Sequence, residues 1–166
     1  MNEPVWLVVA RKALGVAEVP GAKTSAVILQ WLQRLRAWWA DDETPWCGVF
    51  VAQCMDVTGF TVPGNWMRAR AWLDWGIPLV RPAVGCVVVF ERQGGGHVGF
   101  VVGQDAKGRL LVLGGNQGDR VSIVPFEPSR VLGFRWPDDE KTIAPTYFGG
   151  PLPVLAAGGV SSVNEA

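Results

Sequence analysis

The chain changes its hydrophobic period once, near Pro82, and that change limits the folds open to it. Before this point apolar residues recur at helical spacing. Val5, Trp6, Val8, Val9, Ala13 and Leu14 predict a helix over 4–15, ended by Gly15. Ile28, Leu29, Leu32, Leu35, Trp38 and Trp39 predict a second, capped by Ser25 and running to about Trp39. The stretch "TPWCGVFVAQC" opens a third, with Thr44 suited to the N-cap, Pro45 to the first helical position, and Gly59 to the stop. "PGNWMRARAWLDWG" predicts a fourth, Trp-rich helix ending at Gly76. Beyond Pro82, "VGCVVVFER", "HVGFVVGQD", "RLLVLGG", "RVSIVPF" and "RVLGFRW" are short and Val-rich, broken by Gly, Pro or Asp-Ala-Lys-Gly. They read as antiparallel strands joined by tight turns. Helices first and strands afterwards predict an α+β domain, with N-terminal helices packed on a C-terminal sheet, rather than alternating βαβ units.

The 166 residues suit one domain over 1–137, followed by a Gly-, Pro- and Ala-rich tail or linker over 138–166. Lys and Arg total 15, as do Asp and Glu, so the formal net charge is zero and no basic stripe points to nucleic acid. No run approaches the roughly 18 apolar residues of a membrane span. The start, "MNEPVWLVVARKALG", lacks a long apolar core, so the reading is a chain made in the cytoplasm without a signal peptide. Three cysteines at irregular spacing argue against a disulfide framework. Nine tryptophans exceed what a core needs, and some are expected to line a groove.

Three residues carry the chemistry. Cys47 falls in the first turn of its helix, where the dipole favours a thiolate. His97, the single histidine, heads an apolar strand after "QGGG". By itself it reads equally as a strand-end ring bonded to a backbone carbonyl. Asn116, in "LGGNQGD", lies on the next predicted strand, within reach of an imidazole across about 4.8 Å. Together they are the ingredients of a Cys-His-Asn site, in which imidazole ionises the thiol and an amide fixes the ring. Cys54 and Cys86 read as small buried hydrophobes. A zinc site from the three cysteines and His97 lacks any tight C-x₂-C pair, so neither metal nor cofactor is expected. Asp41, Asp42 and Glu43 would raise the thiol pKa unless they point away.

"PWCGVFVAQCM", "GHVGFVVG" and "GGNQGD" together resemble the NlpC/P60 and CHAP group of papain-like cysteine hydrolases. The subgroup nearest in pattern occurs in phage endolysins and other wall-cleaving proteins. The resemblance covers roughly residues 4–136, including "ALGVAEVPG" near the start. It implies a papain-like fold, with Cys47 as nucleophile, His97 as general base and acid, and Asn116 as polar orienter. Relatives often carry an acidic residue two positions before the orienter; here that position is Gly114, and Gln117 is available to replace or support Asn116. The implied activity is hydrolysis of a peptidoglycan amide, within the stem peptide or between it and the sugar. The Cys47 N–H would meet the oxyanion, and Trp46, Trp66, Trp72 and Gln117 are the candidate binding residues, although each tryptophan reads equally as simple core packing. Action would be in the periplasm or wall after delivery or lysis, with an immunity or delivery protein as a further partner. The alternative is a catalytically idle wall-binding or structural module of a phage tail or secretion system.

Overall fold

Three α-helices precede the sheet. α1 (Val5–Lys12) buries Trp6, Leu7 and Ala10, and α2 (Ala26–Arg34) buries Ile28, Trp31 and Leu32, each one stripe of its surface. Ser25 caps α2, its hydroxyl accepting from the Ile28 N–H at 3.4 Å. That helix is shorter than its apolar pattern, because Arg36 adopts a left-handed φ of 57° and turns the chain before Trp38. α3 (Cys47–Val57) is buried continuously from Cys47 to Met55, so it runs through the centre of the molecule. It begins two residues later than its proline suggests. Thr44 donates both its N–H and its hydroxyl to Asp41 Oδ1, at 2.8 and 2.9 Å, and that turn leaves Trp46 as the N-cap. Cys47 is therefore the first helical residue. This computed structural model describes residues 3–21, 23–140 and 151–156.

The expected fourth helix is not an α-helix. Its residues turn and then form a 3₁₀ helix, Ala69–Asp74. The indole N–H groups of Trp72 and Trp75 bond the carbonyls of Trp66 and Thr61, at 3.1 and 2.9 Å, and fold the segment back on itself. A six-stranded antiparallel sheet follows, comprising β1 (Ile77–Leu79), β2 (Val87–Arg92), β3 (Gly95–Gln104), β4 (Leu110–Gly114), β5 (Ser122–Phe126) and β6 (Val131–Trp136). Their order is β1-β6-β2-β3-β4-β5. β1 has no periodic signal because it is a three-residue edge strand with Pro78 at its middle, a residue that edges tolerate. The α+β reading therefore holds. Trp6 ties α1 to the sheet: its N–H bonds Gly85 O at 2.7 Å, and its ring meets Trp136 edge-on at 5.1 Å.

Part of the segment beyond residue 137 returns to the sheet. Gln104 lies past the reach of β2, and its free backbone edge pairs with the chain at 153–155. The Gln104 N–H donates to Pro153 O at 2.9 Å, and Gln104 O accepts from the Leu155 N–H at 2.8 Å. The rest of that segment lies outside the described residues.

Cys54 and Cys86 are fully buried, as small hydrophobes are. Burial pushes the Cys86 thiol up to about 12 and the Cys54 thiol well above its ordinary value. Above about pH 8.5 to 9 the unfolded chain releases protons that the folded chain keeps. Stability is therefore full below that range and falls as pH rises, by about 1.4 kcal/mol per pH unit for each such thiol. Denaturation midpoints should drop steadily from about pH 9 to 11, and Cys86→Ala should make that slope shallower. An unchanged slope in Cys86→Ala would exclude this origin.

Candidate active site

The site lies at the seam between the first turn of α3 and β3. The Cys47 sulfur accepts hydrogen bonds from the backbone N–H groups of Val98 and Gly48, and the Arg92 guanidinium adds positive charge nearby. Desolvation is the larger effect, however, and burial pushes the Cys47 thiol up. Burial thus opposes the effect of helix placement and of the donors around the sulfur. Two of the three neighbouring acids face elsewhere. Asp41 turns to Thr44, and buried Asp42 accepts from the Val19 and Ser25 N–H groups at 2.9 and 2.8 Å. That carboxylate pins the loop before α2 to the approach to α3.

Val98 follows His97 on β3, so the sulfur abuts the strand that carries the histidine. The imidazole is fully buried in an aromatic stack. It lies nearly parallel to Phe126, with centroids 5.4 Å apart and 9° between planes, and to Phe90, at 6.4 Å and 24°. Arg130 lies over the Phe126 ring, its guanidinium carbon 5.4 Å from the centroid. His97 Nε2 lies 2.9 Å from Gln117 Oε1. The amide end is not ambiguous, because Gln117 Nε2 donates to Ser122 O at 2.8 Å and to Val112 O at 3.2 Å. Its oxygen must then face the ring, and His97 Nε2 must be the protonated nitrogen.

The backbone at Asn116 is unusual. It sits in the turn after β4 with a left-handed φ of 58°, a conformation that asparagine tolerates better than most side chains. Gly118 and Asp119 follow at 68° and 59°. These residues bend the chain sharply enough to send Gln117 back toward β3. The turn is held from outside by the segment after α1: Gly15 N–H bonds Val121 O, Val121 N–H bonds Val16 O, and Glu18 N–H bonds Asp119 O, at 2.8 to 3.0 Å. Gly114 explains the missing acidic side chain. A Cβ there would collide with Gln117 Oε1 and come within 3.3 Å of His97 Nε2. The glutamine amide thus fills the volume that a side chain at 114 would enter. At Gly115 a Cβ would lie 2.7 Å from Phe50 Cβ and 2.8 Å from the Trp46 ring, so the chain after β4 packs directly on the start of α3.

The tryptophans expected along a groove are core residues. Trp46, Trp66 and Trp72 are all buried; Trp46 packs on Trp31 and bonds Glu18 Oε1 through its N–H at 2.8 Å. Gln117 likewise points to His97 and not into a groove. A cleft of about 420 Å³ does open over Cys47, but different residues form it. Its walls are the segment from Met67 to Arg70 on one side, and Arg92 with the glycines 94–96 at the β2–β3 turn on the other. Arg92 escaped the sequence reading. Its signal was its place two residues before the glycine run that precedes His97. Among the described residues, no group of three or more His, Cys, Asp or Glu side chains converges as metal ligands. No helix there is long and apolar enough to cross a membrane.

Comparison with known families gives one match: the CHAP domain model aligns with residues 39–116. That span contains Cys47, His97 and Asn116 and stops one residue short of Gln117. No curated protein matches the chain.

Because the chain has one histidine, its imidazole resonances need no assignment. Two-bond ¹H–¹⁵N correlation spectra of the neutral ring should show Nε2 protonated. Gln117→Ala should shift the ring toward a mixture of tautomers, and Gly114→Ala should do the same by displacing the amide. A neutral ring protonated at Nδ1 would contradict the network.

Proposed function

We propose that this chain, whose residues 39–116 match the CHAP domain model, is a peptidoglycan hydrolase that cleaves a stem-peptide amide through Cys47. The bond is within the stem peptide or at its junction with the sugar. The observation that carries the reading is the Cys47 sulfur at the open cleft, receiving the N–H of the residue next to an oriented histidine.

In this reading His97 Nδ1, the ring nitrogen opposite the Gln117 contact, takes the thiol proton as sulfur attacks the carbonyl carbon. The Val98 and Gly48 N–H groups and the Arg92 charge stabilise the sulfur as it becomes anionic. The Cys47 N–H, free of any helical acceptor at this position, meets the carbonyl oxygen as it gains charge. The imidazolium returns its proton to the amide nitrogen, the C–N bond breaks, and an acyl-thioester remains on Cys47. Water, deprotonated by His97, then releases the acid and restores the thiol. Gln117 takes the orienting role throughout, and Asn116 supplies the backbone bend that lets it do so.

Cys47→Ala and His97→Ala should each abolish release of muropeptides from purified sacculi, read by mass spectrometry, with unchanged far-ultraviolet circular dichroism. The fragment masses identify the bond. Wild-type release by Cys47→Ala would end the proposal. Because burial raises the thiol, alkylation of Cys47 by iodoacetamide should still be accelerating at pH 9. A rate that is already level below about pH 7 would show a preformed thiolate instead.

A further inference from the structure

The cleft is far more basic than the chain that builds it. The protein is formally neutral, yet Arg68, Arg70 and Arg92 all line the space over Cys47, and none of the described residues lining it is acidic. Arg68 and Arg70 project from the Met67–Arg70 wall, whereas Arg92 reaches in from the β2 end opposite. Arg70 does not swing freely: its Nε donates to Gly95 O at 3.0 Å, which fixes the plane of the guanidinium and leaves its terminal nitrogens for another partner. Arg92 lies near enough for its charge to act on the Cys47 sulfur. Three guanidinium groups on two walls of one pocket repel one another, and an anion between them relieves that cost. A planar carboxylate suits them best, since guanidinium binds it through two parallel hydrogen bonds.

We propose that this cleft is a carboxylate subsite, selecting stem peptides that carry a free carboxylate beside the scissile amide over the same peptides with that carboxylate amidated. The inference rests on Cys47 being the reacting group and adds to it a substrate class. Binding energy from the arginines holds the substrate in register with the sulfur, so the preference resides mainly in KM.

Two alkylating reagents of nearly equal size test the electrostatics without requiring turnover. Iodoacetate is anionic, iodoacetamide neutral, and the ratio of their rates with Cys47 reports the field in the cleft. Wild-type protein at low salt should favour iodoacetate by about tenfold over the ratio for a free thiol, and salt should erase the preference. Arg68→Gln combined with Arg70→Gln should remove most of it while leaving the iodoacetamide rate nearly unchanged. With muropeptides, the same double variant should raise KM about tenfold for the free-carboxylate form and leave the amidated form unaffected. A rate ratio equal to that of a free thiol, or a wild-type enzyme that hydrolyses both muropeptides alike, overturns the subsite while leaving the Cys47 reading in place. Reaction of Cys47 with neither reagent overturns that reading and the subsite with it.

Discussion

A side-chain amide can present either its oxygen or its nitrogen to a histidine, and the two choices give opposite tautomers. In this protein two backbone carbonyls, Val112 O and Ser122 O, take the Gln117 nitrogen and leave only the oxygen for His97. The ring is held in its plane by Phe90 and Phe126 and in its proton pattern by that oxygen. Everything downstream follows from this lock. The sharp turn at 116–119, the bare Cα at Gly114 and the docking of residues 15–18 on the turn all serve to bring one amide to one nitrogen. An acidic side chain projecting from position 114 would have reached the ring with fewer constraints on the loop. The glutamine solution needs a bent loop but buries no extra charge in an aromatic pocket.

At Cys47 two effects oppose each other. Placement at the first helical position, with N–H donors from Val98 and Gly48 and the charge of Arg92, favours the anion; desolvation favours the thiol. Desolvation is the larger in the resting molecule. The balance suits a group that loses its proton as it attacks, because donors already aimed at the sulfur need no rearrangement when charge appears. The same reasoning separates Cys47 from Cys54 and Cys86. All three are buried, but Cys47 lines the cleft and has a backbone donor from β3, Val98.

The architecture was legible because the period of the apolar residues changes sharply, and Cys47 and His97 were legible because each is singular in type or position. What escaped the sequence depends on backbone geometry. Asn116 and Gln117 are adjacent amides, and composition does not show that Gln117 lies 2.9 Å from the ring or that Asn116 takes a left-handed φ of 58°. For Trp46, Trp66 and Trp72 the number of tryptophans left groove and core equally open; burial places them in the core, and the indoles of Trp46 and Trp72 join segments through the Trp46–Glu18 and Trp72–Trp66 bonds. Helical spacing failed over the Trp-rich stretch because contacts outside the local ladder overrode it. The β1 edge was too short to show a period.

Net charge misled in a related way. A total of zero excludes a broadly basic surface, but it sums over groups that the fold separates in space. Asp42 is turned inward to hold a loop, Asp41 closes a turn, and Asp105 is engaged by Arg109 at 2.7 Å, so these carboxylates are used within the framework. Arginines at 68, 70 and 92 are instead gathered at the cleft over Cys47. The split follows from the order of elements. Asp41 and Asp42 precede α3, where they organise its approach, whereas Arg68 and Arg70 lie at the start of the 3₁₀ segment and Arg92 ends β2, the two features that wall the cleft over its first residue. A chain that places helices before strands thus assembles the cleft from late segments around an early cysteine, and sorts its charges as it does so.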